Sequence, residues 1–267
     1  MPNKRAEFWA FVSGKGGVGK SVLALNMGQA LSALGHRVLL LDADLGLANL
    51  HVLANVDPGG RLERVLARAE SLSEAITPLP FGPHLLAAEN GQSVCLLSGT
   101  DAAEGLAETL GRLHAEYDYV LVDTPRGLSE ASLRFCRACD RTLLVTTDEP
   151  TALTNTYAWF KVASLEEQAL PVWLIANGTD DPHLQSRFTA LCERFLGRAP
   201  FWAGQVPRDP QVGRAVARQK PLCEEAPRSP AWLAIKQLTN QLQREGRSPS
   251  AGDGGIMPSS QEAGRTR

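Results

Sequence analysis

Short, almost wholly apolar runs recur along the chain at Phe8–Val12, Val38–Leu41, Tyr119–Val122, Leu143–Thr146 and Val172–Ala176. Between them lie stretches whose apolar residues return at helical spacing: Val22–Leu34, Ala102–Ala115, Ser129–Ala138, Thr151–Ala169 and Pro182–Phe195, the last opened by Asp180-Asp181-Pro182. Strand and helix alternate, which is the rhythm of βαβ units. The strand runs lack the apolar–polar alternation of a sheet wetted on one side, so both faces need cover. The pattern predicts a single-domain α/β fold, a mostly parallel doubly wound sheet with helices on both faces. In Pro230–Glu245, Trp232, Ile235, Leu238 and Leu242 fall near one helical face and predict a closing helix packed on the sheet. The domain is expected to span residues 1–245. Residues 246–267, rich in Gly, Ser and Pro, are expected to form a disordered tail. The weaker periodicity of Val56–Gly99 leaves its path open.

Composition narrows the setting. The 267 residues carry a formal net charge of −2, so the global balance announces neither a nucleic-acid nor a membrane partner. No apolar run is long enough to span a bilayer, and the apolar stretch after Met-Pro-Asn-Lys-Arg is too short for a secretion signal. A cytoplasmic protein is expected. The five cysteines are an odd number and predict packed thiols rather than a disulfide framework. Of six lysines, Lys15 and Lys20 sit in a single eight-residue loop.

That loop, Gly14-Lys15-Gly16-Gly17-Val18-Gly19-Lys20-Ser21, fills every position of the P-loop pattern and has its context, an apolar strand before and an Ala/Leu-rich helix after. Its glycines let backbone N–H groups turn inward at a helix N-terminus, a ready anion nest. Lys20 is expected on the β- and γ-phosphates and the Ser21 hydroxyl on Mg²⁺. An ordinary P-loop needs no second lysine. Lys15 is either a solvated loop residue or a cation with its own task.

Two further strand ends deliver acids. Val38–Leu41 runs into Asp42-Ala43-Asp44, and Tyr119–Val122 into Asp123-Thr124-Pro125-Arg126-Gly127, at the edge where open α/β sheets bind ligands. Asp123 is expected to hold Mg²⁺ through water, and Gly127 to donate its N–H near the γ-phosphate. Val172–Ala176 ends in Asn177, whose amide offers a donor and an acceptor suited to a base edge; a plain turn residue at a strand end is the alternative.

Lys-Gly-Gly-Val-Gly-Lys-Ser resembles the deviant Walker A motif of the MinD/ParA ATPases. The stretches Asp42–Leu50, Thr146–Ala158 and Pro207–Pro221 look most like the FlhG/FleN branch, which sets flagellar number and placement. The resemblance covers about Phe8 to Leu242 and implies a homodimer formed on ATP. It implies that Lys15 reaches the partner subunit's phosphates and joins Asp44, which positions the attacking water and contacts the Mg²⁺ shell, in slow hydrolysis. Asp42, Asn49 and Gly127 become switch residues, and Asn177 with Pro207, Arg208 and Asp209 the base site. ATP and Mg²⁺ are the implied cofactors, with a protein partner that stimulates hydrolysis and brings the chain to the membrane or pole. Arg126 departs from the small residue of MinD-like relatives. The N-terminal partner-activating segment of some members is not expected, and with few cations (Lys236, Arg244) neither is a membrane-targeting helix at the end.

Two other classes stay open. Cys136-Arg137-Ala138-Cys139 prompts a metal-cluster carrier resembling the nitrogenase iron protein, set against two packed thiols. Arg208, Arg214, Arg218 and Lys220 prompt DNA partitioning, set against a solvated face.

Overall fold

The computed structural model describes residues 5–88, 109–166 and 170–245. Strand β1 (Glu7–Val12) runs through the glycine loop into α1 (Lys20–Ala33) and back to β2 (Val38–Asp42). Short helices α2 (Leu50–Leu53), α3 (Leu62–Leu66) and α4 (Leu72–Ala75) precede β3 (Thr77–Pro78) and β4 (His84–Leu86), and α5 is described over residues 109–116. Strict alternation then resumes: β5 (Tyr119–Asp123), α6 (Glu130–Ala138), β6 (Arg141–Thr146), α7 (Pro150–Ser164), β7 (Val172–Asn177), α8 (Leu184–Leu196) and β8 (Phe201–Val206). Helices α9 (Pro210–Ala217), α10 (Leu222–Glu225) and α11 (Pro230–Arg244) close the domain.

The 8-stranded sheet has the order β3-β4-β2-β5-β1-β6-β7-β8, parallel throughout except for the β3–β4 pair. β1 lies inside, between β5 and β6, and every one of its residues is buried. From β1 the chain steps to β2 on one side and later to β6, β7 and β8 on the other. The crossovers diverge there and leave a crevice at the carboxyl ends of the strands.

Both faces are covered, as the unalternating strands require. Trp9 and Phe11 pack with Leu23 and Met27 of α1 and with Trp232, Ile235, Leu238 and Leu242 of α11. On the opposite face Ala10 and Val12 meet Trp159 and Phe160 of α7 and Phe188 of α8, while Phe8 joins Phe135 of α6. Helix α7 stops at Ser164 rather than Ala169, because Ala163 is the last residue to face the sheet and Leu165 is 76% exposed. Residues 167–169, the first part of the expected 102–115 helix and the tail from residue 246 lie outside the described residues. Among the described residues no helix is long and apolar enough to cross a membrane.

At the amino ends of the strands sits a buried charge cluster. The Arg141 guanidinium, fully buried, stacks over Trp9 and Trp173 and donates to Glu7 Oε1 at 2.8 Å, which also accepts from Trp9 Nε1 at 2.9 Å. Glu245, just past α11, lies 3.8 Å from Arg141 Nη1. The Glu7 hydrogen bond, the nearby Glu245 carboxylate and two ring faces make a buried cation tolerable here.

Candidate nucleotide-binding site

The loop is shaped by what its glycines touch. A Cβ on Gly14 would stand 2.3 Å from the backbone carbon and oxygen of Asn155, so the loop lies hard against α7. Gly19 caps α1 at φ +91, in the left-handed region, and a Cβ there would meet the Asn177 amide at 2.3 Å. Asn177 holds the loop from the other side, donating from Nδ2 to the Val18 carbonyl at 2.7 Å. One N–H and the amide oxygen of Asn177 remain for a ligand.

The two lysines point to different places. Lys20, 9% exposed, turns inward to 3.7 Å from Asp123 Oδ1. Lys15 turns outward, donating to Glu149 and, at 3.0 Å, to the Thr151 hydroxyl at the start of α7. Glu149 and Thr151 are partners that sequence reasoning missed. The Thr146–Ala158 stretch had marked the branch without assigning them a contact.

Behind the loop the acids gather. Asp42 and Asp123 are paired in register across β2 and β5. Asp42, fully buried, accepts from the backbone N–H of Asp44 (3.2 Å), Asn49 (3.0 Å) and Leu50 (3.0 Å), which wraps the 43–50 loop around one carboxyl. Burial and the facing Asp123 push the Asp42 carboxyl above the ordinary range. Burial also raises Asp123, against the pull of Lys20 and a hydrogen bond from Ser21. Asp44 leaves the strand half-buried, in a turn closed by Leu47 N–H onto its carbonyl at 3.1 Å. Asn49 is exposed, its amide donating to the Leu47 carbonyl at 2.6 Å.

Asp123 Oδ1 is buried and accepts no hydrogen bond. With the Ser21 hydroxyl beside Asp123, hard oxygen donors face the loop. No group of three or more His, Cys, Asp or Glu side chains among the described residues could hold a metal by itself. Mg²⁺ commonly takes one or two protein oxygens and completes its shell with water and substrate phosphates, and the residues fit that use.

The switch strand makes a contact that its sequence does not predict. The Gly127 N–H, expected near phosphate, is donated to the Ser13 carbonyl at 3.1 Å, clipping the β5 turn to the base of the loop. In the same turn the Arg126 side chain folds back over the loop. A Cβ on Gly16 would stand 3.5 Å from its Cδ and 3.6 Å from Nη1.

On the base side, Arg208 lies 3.3 Å from Asp148, which also accepts from the Thr179 hydroxyl at 3.0 Å. Asp209 caps α9 through Gln211 N–H (2.9 Å) and accepts from Ala231 N–H (3.1 Å). Burial works against the Asp209 carboxylate, but these donors hold it below its usual range. Pro207 follows β8 directly and connects it to this pinned turn.

The features that prompted other classes look ordinary in place. Cys136 is fully buried in the α7–α8 core, and burial pushes its thiol up to about 12; Cys139 is raised for the same reason. Both lie at the end of α6, which leads away from the crevice. In the basic run, Arg208 is engaged by Asp148 and Arg218 by Glu225, so the run is partly neutralised within the chain.

An anion nest at the switch point of a parallel sheet, backed by a buried lysine–aspartate pair, defines a P-loop nucleotide-binding protein. Residues 9–222 match CbiA, the CobQ/CobB/MinD/ParA nucleotide binding domain, and the chain belongs to that family. It is 36% identical over 238 residues to the antiactivator FleN of Pseudomonas aeruginosa, covering 87% of this chain and 85% of FleN. The flagellum site-determining protein YlxH of Helicobacter pylori is 35% identical over 242 residues, with 88% and 81% covered. The septum site-determining protein MinD of Pyrococcus horikoshii, complexed with Mg-ADP, shares the fold with a TM-score of 0.74 at 24% identity, covering 90% and 97%.

Proposed function

We propose that this chain is an ATP-dependent dimerisation switch with slow hydrolysis, used to position or count a cellular structure, with a flagellum as the cargo. The observation that carries the reading is the divergence of the two loop lysines. Lys20 turns inward to Asp123, whereas Lys15 turns outward, more than a third exposed and held by Glu149 and Thr151, which in this reading it leaves for a second subunit. The flagellar assignment is supported by the relatives FleN and YlxH, which the chain matches over most of its length.

In this reading Gly14 to Gly19 cradle the phosphates, Lys20 contacts the β- and γ-phosphates, and Asn177 with Pro207 to Asp209 holds the base. Ser21 and Asp123 would hold Mg²⁺, with Asp44 against its shell; when bound, the ion offsets charge on the phosphates. Asp44 orients the attacking water. ATP exchanges the Gly127–Ser13 hydrogen bond for one to the γ-phosphate, and the 43–50 loop held by Asp42 responds through Asn49. Lys15 from each subunit closes over the other's nucleotide, and hydrolysis releases the pair. A protein partner would stimulate turnover and supply the cellular surface.

Size-exclusion chromatography with light scattering tests this directly. Asp44→Ala loaded with ATP should elute as a dimer and with ADP as a monomer. Lys15→Ala should keep ATP affinity within about threefold, roughly 0.6 kcal/mol, yet remain monomeric. A monomeric Asp44→Ala protein at saturating ATP would sink the switch, and a large affinity loss in Lys15→Ala would make Lys15 an ordinary phosphate ligand.

A further inference from the structure

We propose that Arg126 is a further phosphate-directed cation of this site, acting within its own subunit: its guanidinium takes the terminal phosphate of ATP and makes closure of the β5 turn depend on the triphosphate. The proposal rests on the ATP-switch reading and adds to it the residue that distinguishes ATP from ADP.

Position comes first. Arg126 lies between Asp123, at the end of β5, and Gly127, whose N–H is clipped to Ser13 at the base of the loop. Before nucleotide binds, that clip holds the root of the side chain beside the phosphate nest, so the guanidinium is in place to meet the incoming phosphates. From there the chain folds inward although it is exposed: the three atoms nearest to a Cβ on Gly16 are Arg126 Cδ (3.5 Å), Nη1 (3.6 Å) and Nε (3.9 Å). The Cδ–Nε–Nη1 side of the group therefore lies against the loop, which leaves the Nε–Nη2 and Nη1–Nη2 edges, each able to grip an oxyanion through two parallel hydrogen bonds, clear of Gly16.

Charge points the same way. Lys15 has Glu149 and Lys20 has Asp123, but among the described residues no carboxylate pairs with Arg126. A guanidinium stays protonated at every working pH, so the loop carries an unneutralised cation in the absence of nucleotide. An anion at the nest would supply the missing partner, and a planar fork suits a phosphate better than an ammonium does. A diphosphate lacks the group that the β5 turn approaches. Arg126 should consequently contribute more to ATP than to ADP binding.

The test compares a fluorescent ATPγS analogue with the matching ADP analogue on the full chain with Mg²⁺, at protein concentrations below those at which dimers form. Arg126→Ala should weaken ATPγS binding about tenfold and ADP binding less than twofold, and Arg126→Lys should recover part of the loss. Equal losses for both nucleotides, no loss at all, or a loss that appears only where dimers form would overturn the assignment. A wild-type protein that binds ATPγS and dimerises beside an unaffected Arg126→Ala leaves the switch standing and removes only Arg126. Wild type that binds no ATPγS overturns both.

Discussion

Gly14 shows how closely a single residue is constrained. Its Cα faces the backbone of Asn155, and a methyl group would overlap a carbonyl that belongs to the body of α7 rather than a movable side chain. Gly14→Ala should therefore push the loop from its helix, lower stability by about 1–3 kcal/mol and weaken nucleotide binding. Urea unfolding and nucleotide titration would read both effects, and an unchanged midpoint would mean that the loop has slack the contact denies. The loop pattern made this glycine legible, but the reason for it was not, because Asn155 is 141 positions away in a stretch of chain with no loop motif. The contacts of Lys15 and Arg126 were hidden for the same cause. Sequence supplies the side chain, whereas its direction depends on which element the sheet order brings alongside.

At the scale of elements, the 43–50 loop depends on one carboxyl. Asp42 is the last residue of β2, and its oxygens take the N–H groups of Asp44, Asn49 and Leu50. Without them, Asp42→Ala should speed amide hydrogen exchange at Asn49 and Leu50 about tenfold or more, while β1 and β5 amides keep their protection. Unchanged protection at Asn49 and Leu50 would show that the loop is held by its apolar contacts, chiefly Leu45, Ala48 and Leu50. Strands β1, β2, β5, β6 and β7 could be read from apolar runs because burial on both faces leaves little ambiguity, whereas β8 is only partly buried and forms no such run. The segment from Val56 onward resisted because α3, α4, β3 and β4 are too short to establish a period.

For the whole molecule, the crevice and the Arg141 cluster occupy opposite poles of the sheet. Replacing Arg141 with Met would leave Glu7 buried with only the Trp9 N–H, and should lower unfolding free energy by about 3–5 kcal/mol. Nucleotide affinity of the folded protein should hardly change, since the strand β1 between the poles is about 17 Å long. Adding Glu7→Gln should recover part of the loss; if the single variant proved as stable as wild type, the cluster would be packing rather than charge. The doubly wound sheet was legible from pattern alone, as was the closing helix. This cluster was not, because Glu7, Arg141 and Glu245 meet only after β1, β6 and α11 have taken their places.

The same pole has a practical use. Arg5 lies 3.9 Å from Asp140 and Glu245 beside Arg141, so the described chain enters and leaves on the side away from the phosphate loop. A fluorophore attached beside Arg5 or Glu245 would stand on the pole opposite the phosphate loop, clear of bound nucleotide. Labelled protein should accordingly report on nucleotide titrations without disturbing the site it reports on.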